Sequence, residues 1–313
     1  MREARCGSPA SIAGRPERAV MDHRAASIQQ IVDRYLRAEA SVSMIVMELV
    51  QHTEDTSALA RILPTLTGDP AKLRVLTKHL ADNAAGCSTI VSMIRQRLDS
   101  PEPASDTEEG IERCRRLFDA SVAQSEESSV ALYSLGNPEL LAAATDEVIG
   151  VLDDWGVLKP DRDAIELGCG IGRLMAPLSS RLRSVTGTDV SPGMIAAATR
   201  RLAACSNASV MLTDGKDLSS WEAASVDLVY SVDTFPYLVL SGRALVERHF
   251  EEVRRVLRRG GDFVLFNYAY GRSREEANGE VLGLAQQAQL QVIRADASPF
   301  HIWNGVGWQL RKA

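Results

Sequence analysis

The sequence predicts an α/β protein, a doubly wound and mainly parallel sheet with helices on both faces, preceded by an all-helical domain. Three observations predict it. From about residue 164 onward, short apolar runs alternate with helix-period segments, the pattern of strands joined by right-handed crossovers. The first run, Ala164–Leu167, feeds three glycines at alternate positions, Gly168, Gly170 and Gly172, before a helix-like segment. Open α/β sheets take adenosine-containing cofactors at such a turn. Between Ser27 and Leu98, by contrast, every segment reads with helical period.

Composition fits a folded chain with a real core. Of 313 residues 45% are hydrophobic and 24% charged, and the net charge is −6. That balance argues against a general grip on nucleic-acid phosphates, which needs clustered Lys and Arg. The five cysteines (Cys6, Cys87, Cys114, Cys169, Cys205) are dispersed and include no Cys-x-x-Cys pair, so a reducing cytosol without a disulfide frame or zinc site is expected. No apolar run approaches the roughly 20 residues of a membrane span. No His/Asp/Glu cluster has metal-ligand spacing.

Residues 1–20, rich in Arg, Gly, Ser and Pro, read as a disordered leader without an apolar signal region, upstream of a natural start at Met21. Ile28, Ile31, Val32, Tyr35, Leu36 and Ala40 form one apolar stripe, on a helix that runs on towards Val50. Further helices are expected over Thr56–Leu63, closed by Pro64, then over Ala71–Leu80 after the turn Gly68-Asp-Pro70, and over Ala84–Leu98. Residues 21–99 thus form a helical domain, expected to serve as a lid, a dimer interface or both. Residues 100–110, acidic and carrying prolines, read as a linker to a second domain over 111–313.

In that second domain, helices are expected over Ile111–Gln124 and Pro138–Trp155, the latter capped by Asn137. Strands follow at Ala164–Leu167, Ser184–Asp189, Ser209–Thr213, Val226–Val232, Asp262–Tyr268, Gln291–Asp296 and Trp303–Arg311. Helices lie between them at Arg173–Arg181, Met194–Cys205, Arg243–Leu257 and Arg274–Gln289. Gly260-Gly261 reads as a helix C-cap.

Two marks carry the chemistry. Glycine lets the loop turn sharply and admits a ligand where a Cβ would stand, and the next helix offers free N–H groups. Arg173 stands where a dinucleotide fold wants its third glycine, which disfavours NAD and FAD. Asp189 closes the second strand, where an acid can accept from both ribose hydroxyls; alternatively it is a turn or cap aspartate before Ser191-Pro-Gly193.

Together these segments resemble the class I S-adenosylmethionine-dependent methyltransferases, of small-molecule type. The resemblance rests on Glu166-Leu-Gly-Cys-Gly-Ile-Gly172 and Thr186-Gly-Thr-Asp-Val-Ser-Pro-Gly-Met194, and extends through Thr213-Asp-Gly215, Val226–Asp233 and Arg255–Gly261. It implies a Rossmann-like methyltransferase fold of seven strands with the last antiparallel, and S-adenosylmethionine as cofactor. By position it implies that Gly168, Gly170 and Gly172 pass under the cofactor and that Glu166 fixes the loop. Asp189 would hold the ribose, with Val190 and Met194 beside the adenine. Asp214 would accept from the adenine amino group, with Gly215 N–H nearby, and Ser231 would lie near the methionine part. Tyr133, in Ser128–Gly136, would meet the methionine carboxylate. The plainer readings are a helix-core Met194, a turn Asp214 and a core-packing Tyr133.

The expected reaction is methyl transfer to an O or N atom of a small-molecule metabolite. A base is needed only if the acceptor must lose a proton. The candidates are Asp233 and Tyr237 after the fourth strand and His301 at the entry to the last; His249 reads as a packing or surface residue. Ser231–Tyr237 departs from the Asn/Asp-Pro-Pro-Tyr signature of enzymes that methylate amino groups on bases, which again speaks against a nucleic-acid substrate. The rival expectations are the same fold catalysing a non-methyl reaction such as a cyclisation, or acting as a binding partner, and NAD-dependent oxidoreduction.

Overall fold

The structure, a computed structural model, describes residues 15–97 and 104–313. Residues 1–14 of the expected leader, residues 98–99 at the end of the expected helical domain and residues 100–103 of the expected linker lie outside them. Helix α1 spans Arg15–Leu36 and so takes in residues 15–20. Within the stripe Ile28 and Val32 are fully buried, and Ile31, Tyr35, Leu36 and Ala40 are partly buried against the same core. The helix does not run on to Val50. The chain breaks after Leu36, Ala38 turns to a left-handed φ of 60°, and Ser41 starts α2 (Val42–Thr53) by accepting from Met44 N.

Helices α3 (Thr56–Ile62), α4 (Pro70–Asp82) and α5 (Ala84–Arg95) complete the helical domain; Asp55 and Asp69 cap the first two and Pro70 takes the first-turn position. Ile45, Leu49, Leu59, Leu76 and Ile90 form its core. Each fully buried aliphatic side chain contributes about 2 kcal/mol before entropy is counted. Leu135, from the second domain, also enters this core, on a turn with φ 53°. Gly86 makes room for it: a Cβ there would collide with the Leu135 carbonyl. Asn137 Nδ2 donates to Asn83 Oδ1 at 2.8 Å at the same seam.

Helix α6 (Thr107–Gln124) begins inside the stretch expected as linker, because Asp106 caps it. A short α7 (Glu126–Val130) and a 3-10 turn (Leu132–Ser134) lead to α8 (Pro138–Asp154), capped by Asn137 as expected. Then come β1 (Asp163–Leu167), α9 (Met175–Leu178), β2 (Ser184–Asp189), α10 (Pro192–Arg201), β3 (Ala208–Leu212) and β4 (Val226–Val232). Helices α11 (Phe235–Ser241) and α12 (Arg243–Val256), β5 (Leu257–Phe266), α13 (Arg274–Gln287), β6 (Leu290–Ala297) and β7 (Gly307–Lys312) finish the chain.

The seven strands form one sheet in the order β3-β2-β1-β4-β5-β7-β6. Strands β1 to β5 pair in parallel, and β7 runs antiparallel to both β5 and β6. The order reverses between β1 and β4, where Ile165 pairs with Thr186 on one side and Val229 on the other. Helices cover both faces, over cores that include Ile171, Met175 and Tyr230 on one side and Phe250, Phe263 and Val281 on the other. The reversal opens a crevice beyond the strand C-termini, the binding position of such sheets.

Four expectations are corrected. The helix after the glycine loop is one turn, not Arg173–Arg181. Helix α11 was not anticipated. Gly260 and Gly261 lie within β5, in a bulge where Val226 pairs with Leu257 and Leu228 with Asp262. Trp303 precedes the last strand instead of opening it. The fully buried Asp262 carboxylate ties the far end of the sheet together, accepting from Arg162 at 2.8 Å, Arg311 at 2.8 Å and Gln309 at 3.0 Å.

Candidate functional site

A cavity of about 440 Å³ opens at the C-terminal ends of β1, β2 and β4 and reaches under α2 of the helical domain. The loop after β1 forms its floor. Gly168 and Gly170 take φ of 67° and 52°, left-handed values that disfavour any residue with a Cβ. A Cβ on Gly170 would come within 2.7 Å of Val130 Cγ1, so α7 closes over the loop only because this position is bare. Gly172, also left-handed, does not line the cavity; it packs against Ala198 of α10.

Asp189 ends β2 at the wall of the cavity. Its Oδ2 accepts from Gly170 N at 2.9 Å and its Oδ1 from Ser191 N at 2.9 Å. Burial raises its pKa, and the backbone N–H groups of Ser191, Gly170 and Val190 pull against that. Val190, Met194 and Gly215 stand beside it in the lining, although Met194 is also core. Asp214 does not reach the cavity: it is exposed, and its Oδ1 accepts from Lys216 N at 3.0 Å, a turn aspartate. Ser231 is fully buried inside β4, away from the lining, with no hydrogen-bond partner for its Oγ.

Glu166 faces the cavity from β1 and is almost fully buried. Tyr230 donates to its Oε2 at 3.0 Å, and burial pushes its carboxyl up to about 8. Across from it stands Arg173, buried and bonded to Thr145 Oγ1 at 3.0 Å. Among the described residues no carboxylate lies within ion-pair distance of this guanidinium. A buried arginine with one neutral partner is costly until an anion arrives. The Tyr133 hydroxyl meets no partner within hydrogen-bond geometry, and Arg173 is the charge that acts on it most. Burial pushes that phenol up to about 12, so it stays a donor.

The remainder of the cavity lies beyond β4 and β5. Asp233 and Tyr237, both expected here, do line it. His301 does not. Its side chain is exposed, and its backbone N–H donates to Glu147 Oε1 at 2.5 Å, as part of a loop that Ser41 also holds through Ile302 O at 2.6 Å. His249 is buried in α12 at the edge of the cavity, with Nδ1 bonded to Leu245 O at 2.8 Å; burial lowers its pKa.

Several lining residues carry no sequence signal. Arg173 follows the glycine motif, but its lack of a partner is a fact of packing. Met44, Met47 and Gln51 come from a helix more than a hundred residues upstream, and Asn267, Tyr270 and Trp303 from loops without motif. Only the β5 terminus, by analogy with those of β1, β2 and β4, pointed to Asn267.

The residues fit an adenosine cofactor bearing an amino-acid tail. The bare loop offers a cradle, Asp189 offers acceptors, and Ser128 Oγ, Tyr133 OH and Trp303 Nε1 are buried polar atoms of the lining with no protein partner. Among the described residues no group of three or more His, Cys, Asp or Glu could hold a metal, and no helix is long and apolar enough to cross a membrane.

Residues 165–265 match the family model described as a methyltransferase domain. Among solved structures, the chain is similar to phosphoethanolamine N-methyltransferase 1 of Haemonchus contortus, determined with phosphoethanolamine and S-adenosylhomocysteine. The identity is 18%, the match covers 66% of this chain and 49% of that one, and the TM-score is 0.53. The chain thus spans about half the length of that enzyme, and the likeness is one of fold. Geranyl diphosphate C-methyltransferase of Streptomyces coelicolor matches over 67% of this chain and 100% of its own, at 17% identity and a TM-score of 0.49. An S-adenosylmethionine-dependent methyltransferase of Aquifex aeolicus matches over 56% and 94%, at 18% identity and a TM-score of 0.43. No curated protein sequence matches this chain.

Proposed function

We propose that the protein transfers the methyl group of S-adenosylmethionine to an O or N atom of a small molecule. The carrying observation is that one cavity is lined together by the glycine loop with Asp189, by Asp233 and Tyr237 after β4, and by Met44 and Met47 of α2. The cofactor supplies an already activated methyl electrophile, so the protein has mainly to align the acceptor and exclude water.

In this reading Asp189 accepts from the ribose hydroxyls, and Gly168 and Gly170 let the chain of the cofactor pass close to the backbone. Arg173 and Tyr133 receive the methionine carboxylate, which gives the guanidinium the anion it lacks. Glu166, protonated near neutrality, holds the loop through Tyr230 without adding charge. In this reading the N-terminal helices act as the lid: α2, which lines the cavity through Met44, Met47 and Gln51, excludes water from it, which supports an acceptor of metabolite size rather than a polymer. A labelled-methyl transfer assay against a metabolite panel tests the reading. Labelled product from at least one acceptor is expected; bound S-adenosylhomocysteine without turnover on any acceptor would favour a non-methyl reaction of the same fold.

A further inference from the structure

The charges that line the cavity bear on the acceptor. Four carboxyl groups line the whole cavity: Glu166, Asp189, Asp217 and Asp233. Three are occupied by the protein. Tyr230 donates to Glu166, backbone N–H groups to Asp189, and Arg248 pairs with Asp217 at 2.6 Å. Asp233 is different. Asn267 Nδ2 at 2.5 Å and Tyr270 OH at 3.0 Å both donate to its Oδ1. Among the described residues no donor meets Oδ2 and no cation lies within ion-pair distance of the carboxylate. Arg173, the one cation of the lining, acts on it only at longer range.

The carboxylate is also held deliberately in place. Asp233 and Asn267 end the adjacent strands β4 and β5, and both adopt left-handed φ, 59° and 63°. Asp233 N donates to Phe266 O at 3.0 Å, and Asn267 N to Val306 O at 2.7 Å. Two strained non-glycine residues side by side at a sheet edge persist only where their surroundings fix them, and such strain gathers at working sites.

The lining that Asp233 shares with Phe118, Tyr237 and Tyr270 is aromatic. Phe118 and Tyr237 meet edge to face with centroids 4.8 Å apart, and Tyr237 and Tyr270 at 5.9 Å. Tyr270, which donates to Asp233, thus packs on Tyr237, and the two rings and the carboxylate adjoin one another. Aromatic faces attract a cation, and a carboxylate in a poorly solvated pocket attracts it more strongly. An anionic acceptor would meet Asp233 as a like charge.

Resting on the methyl-transfer reading above, we propose that the acceptor is an amine carried on an apolar or aromatic body, and that the free Oδ2 of Asp233 binds its ammonium group between Phe118, Tyr237 and Tyr270. The ammonium N–H bond breaks and its proton passes to Asp233 Oδ2. The freed lone pair forms the new N–C bond while the methyl–sulfur bond breaks, its electron pair remaining on sulfur. The products are the methylated ammonium and a neutral thioether. Asp233 is then a catalytic residue, and Asn267 and Tyr270 position it.

The test uses the full chain and matched probes: phenethylamine, tryptamine and octylamine, each beside the alcohol and the carboxylate of the same skeleton. S-adenosylhomocysteine affinity is measured first, so that failure of the cofactor site is seen separately. Labelled methyl is expected on at least one amine, at a kcat/KM at least 100-fold above its alcohol. Asp233→Asn keeps an amide oxygen for Asn267 and Tyr270, and is expected to lower that kcat/KM at least 100-fold while S-adenosylhomocysteine affinity stays within about threefold of wild type. Preference for an alcohol or a carboxylate, transfer to none of the three amines by a chain that binds S-adenosylhomocysteine, or full amine activity in Asp233→Asn would each overturn the proposal. The discrimination between probes is read on wild type and stands even if the variant folds poorly.

Discussion

Gly170 donates its backbone N–H to Asp189 Oδ2 at 2.9 Å, so the loop after β1 and the end of β2 are one unit. The bond fixes the carboxylate beside the bare backbone that it needs as a neighbour, and it can form only while residue 170 keeps its left-handed turn.

Gly170→Ala tests that unit. A left-handed alanine costs about 1–2 kcal/mol, and its Cβ would press on Val130 of α7. The expected outcome is a stability loss of that order in urea titration, with S-adenosylhomocysteine affinity reduced about tenfold or more. An alanine variant binding as wild type would show that α7 and the loop can separate freely.

His301→Ala is expected to leave kcat within about twofold of wild type. The imidazole is exposed outside the cavity, and the contact with Glu147 is made by the backbone N–H, which the substitution keeps. A tenfold fall in kcat would restore His301 as a base and require the loop before β7 to move.

Asp262→Ala should destabilise the sheet without touching the cavity. It removes the shared acceptor of Arg162 and Arg311 and strands a largely buried guanidinium. Breaking such a pair costs about 3–5 kcal/mol. Equilibrium denaturation reads it directly, and a change under about 1 kcal/mol would mean that the network is dispensable.

Glu166 sets a pH dependence whose sign follows from its burial. Its carboxyl is pushed from an ordinary 4.5 up to about 8 in the folded chain. Between those values the folded state keeps a proton that the unfolded state has lost. Stability is therefore full at the acidic end of that window and falls as pH rises towards 8, by at most about 1.4 kcal/mol per pH unit. Asp189 and Asp233, also raised by burial, add the same sign. Glu166→Gln should flatten the dependence of the melting temperature between pH 6 and 8; an unchanged slope would place the titration elsewhere.

The fold was legible where local signals agreed. Strands Ser184–Asp189 and Val226–Val232 fall where their apolar runs stop at an acid or a turn. Asn137 followed by Pro138 started α8 as such pairs do. The failures have physical causes. Phe235–Ser241 is too short for a period to show, and Pro236 is tolerated because it lies in the first turn. Gly260-Gly261 carries the dipeptide of a helix end, yet α12 stops four residues earlier and the glycines serve a bulge. At the site, Asp189 and the first two glycines could be read from spacing because the loop is contiguous. Asp214 and Ser231 followed from position alone, and the structure turns one to solvent and seals the other in the sheet. Tyr270, Asn267 and the α2 methionines meet only through tertiary packing, which no local pattern encodes.

In the proposed function the unit of Gly170 and Asp189 holds S-adenosylmethionine. Calorimetric titration of the full chain with S-adenosylhomocysteine, wild type beside Asp189→Ala and with NADH as control, tests it most directly. One saturable site for S-adenosylhomocysteine is expected, weakened by about 1–3 kcal/mol in the variant, and no heat with NADH. Binding of NADH alone, or equal S-adenosylhomocysteine affinity in both proteins, would contradict it.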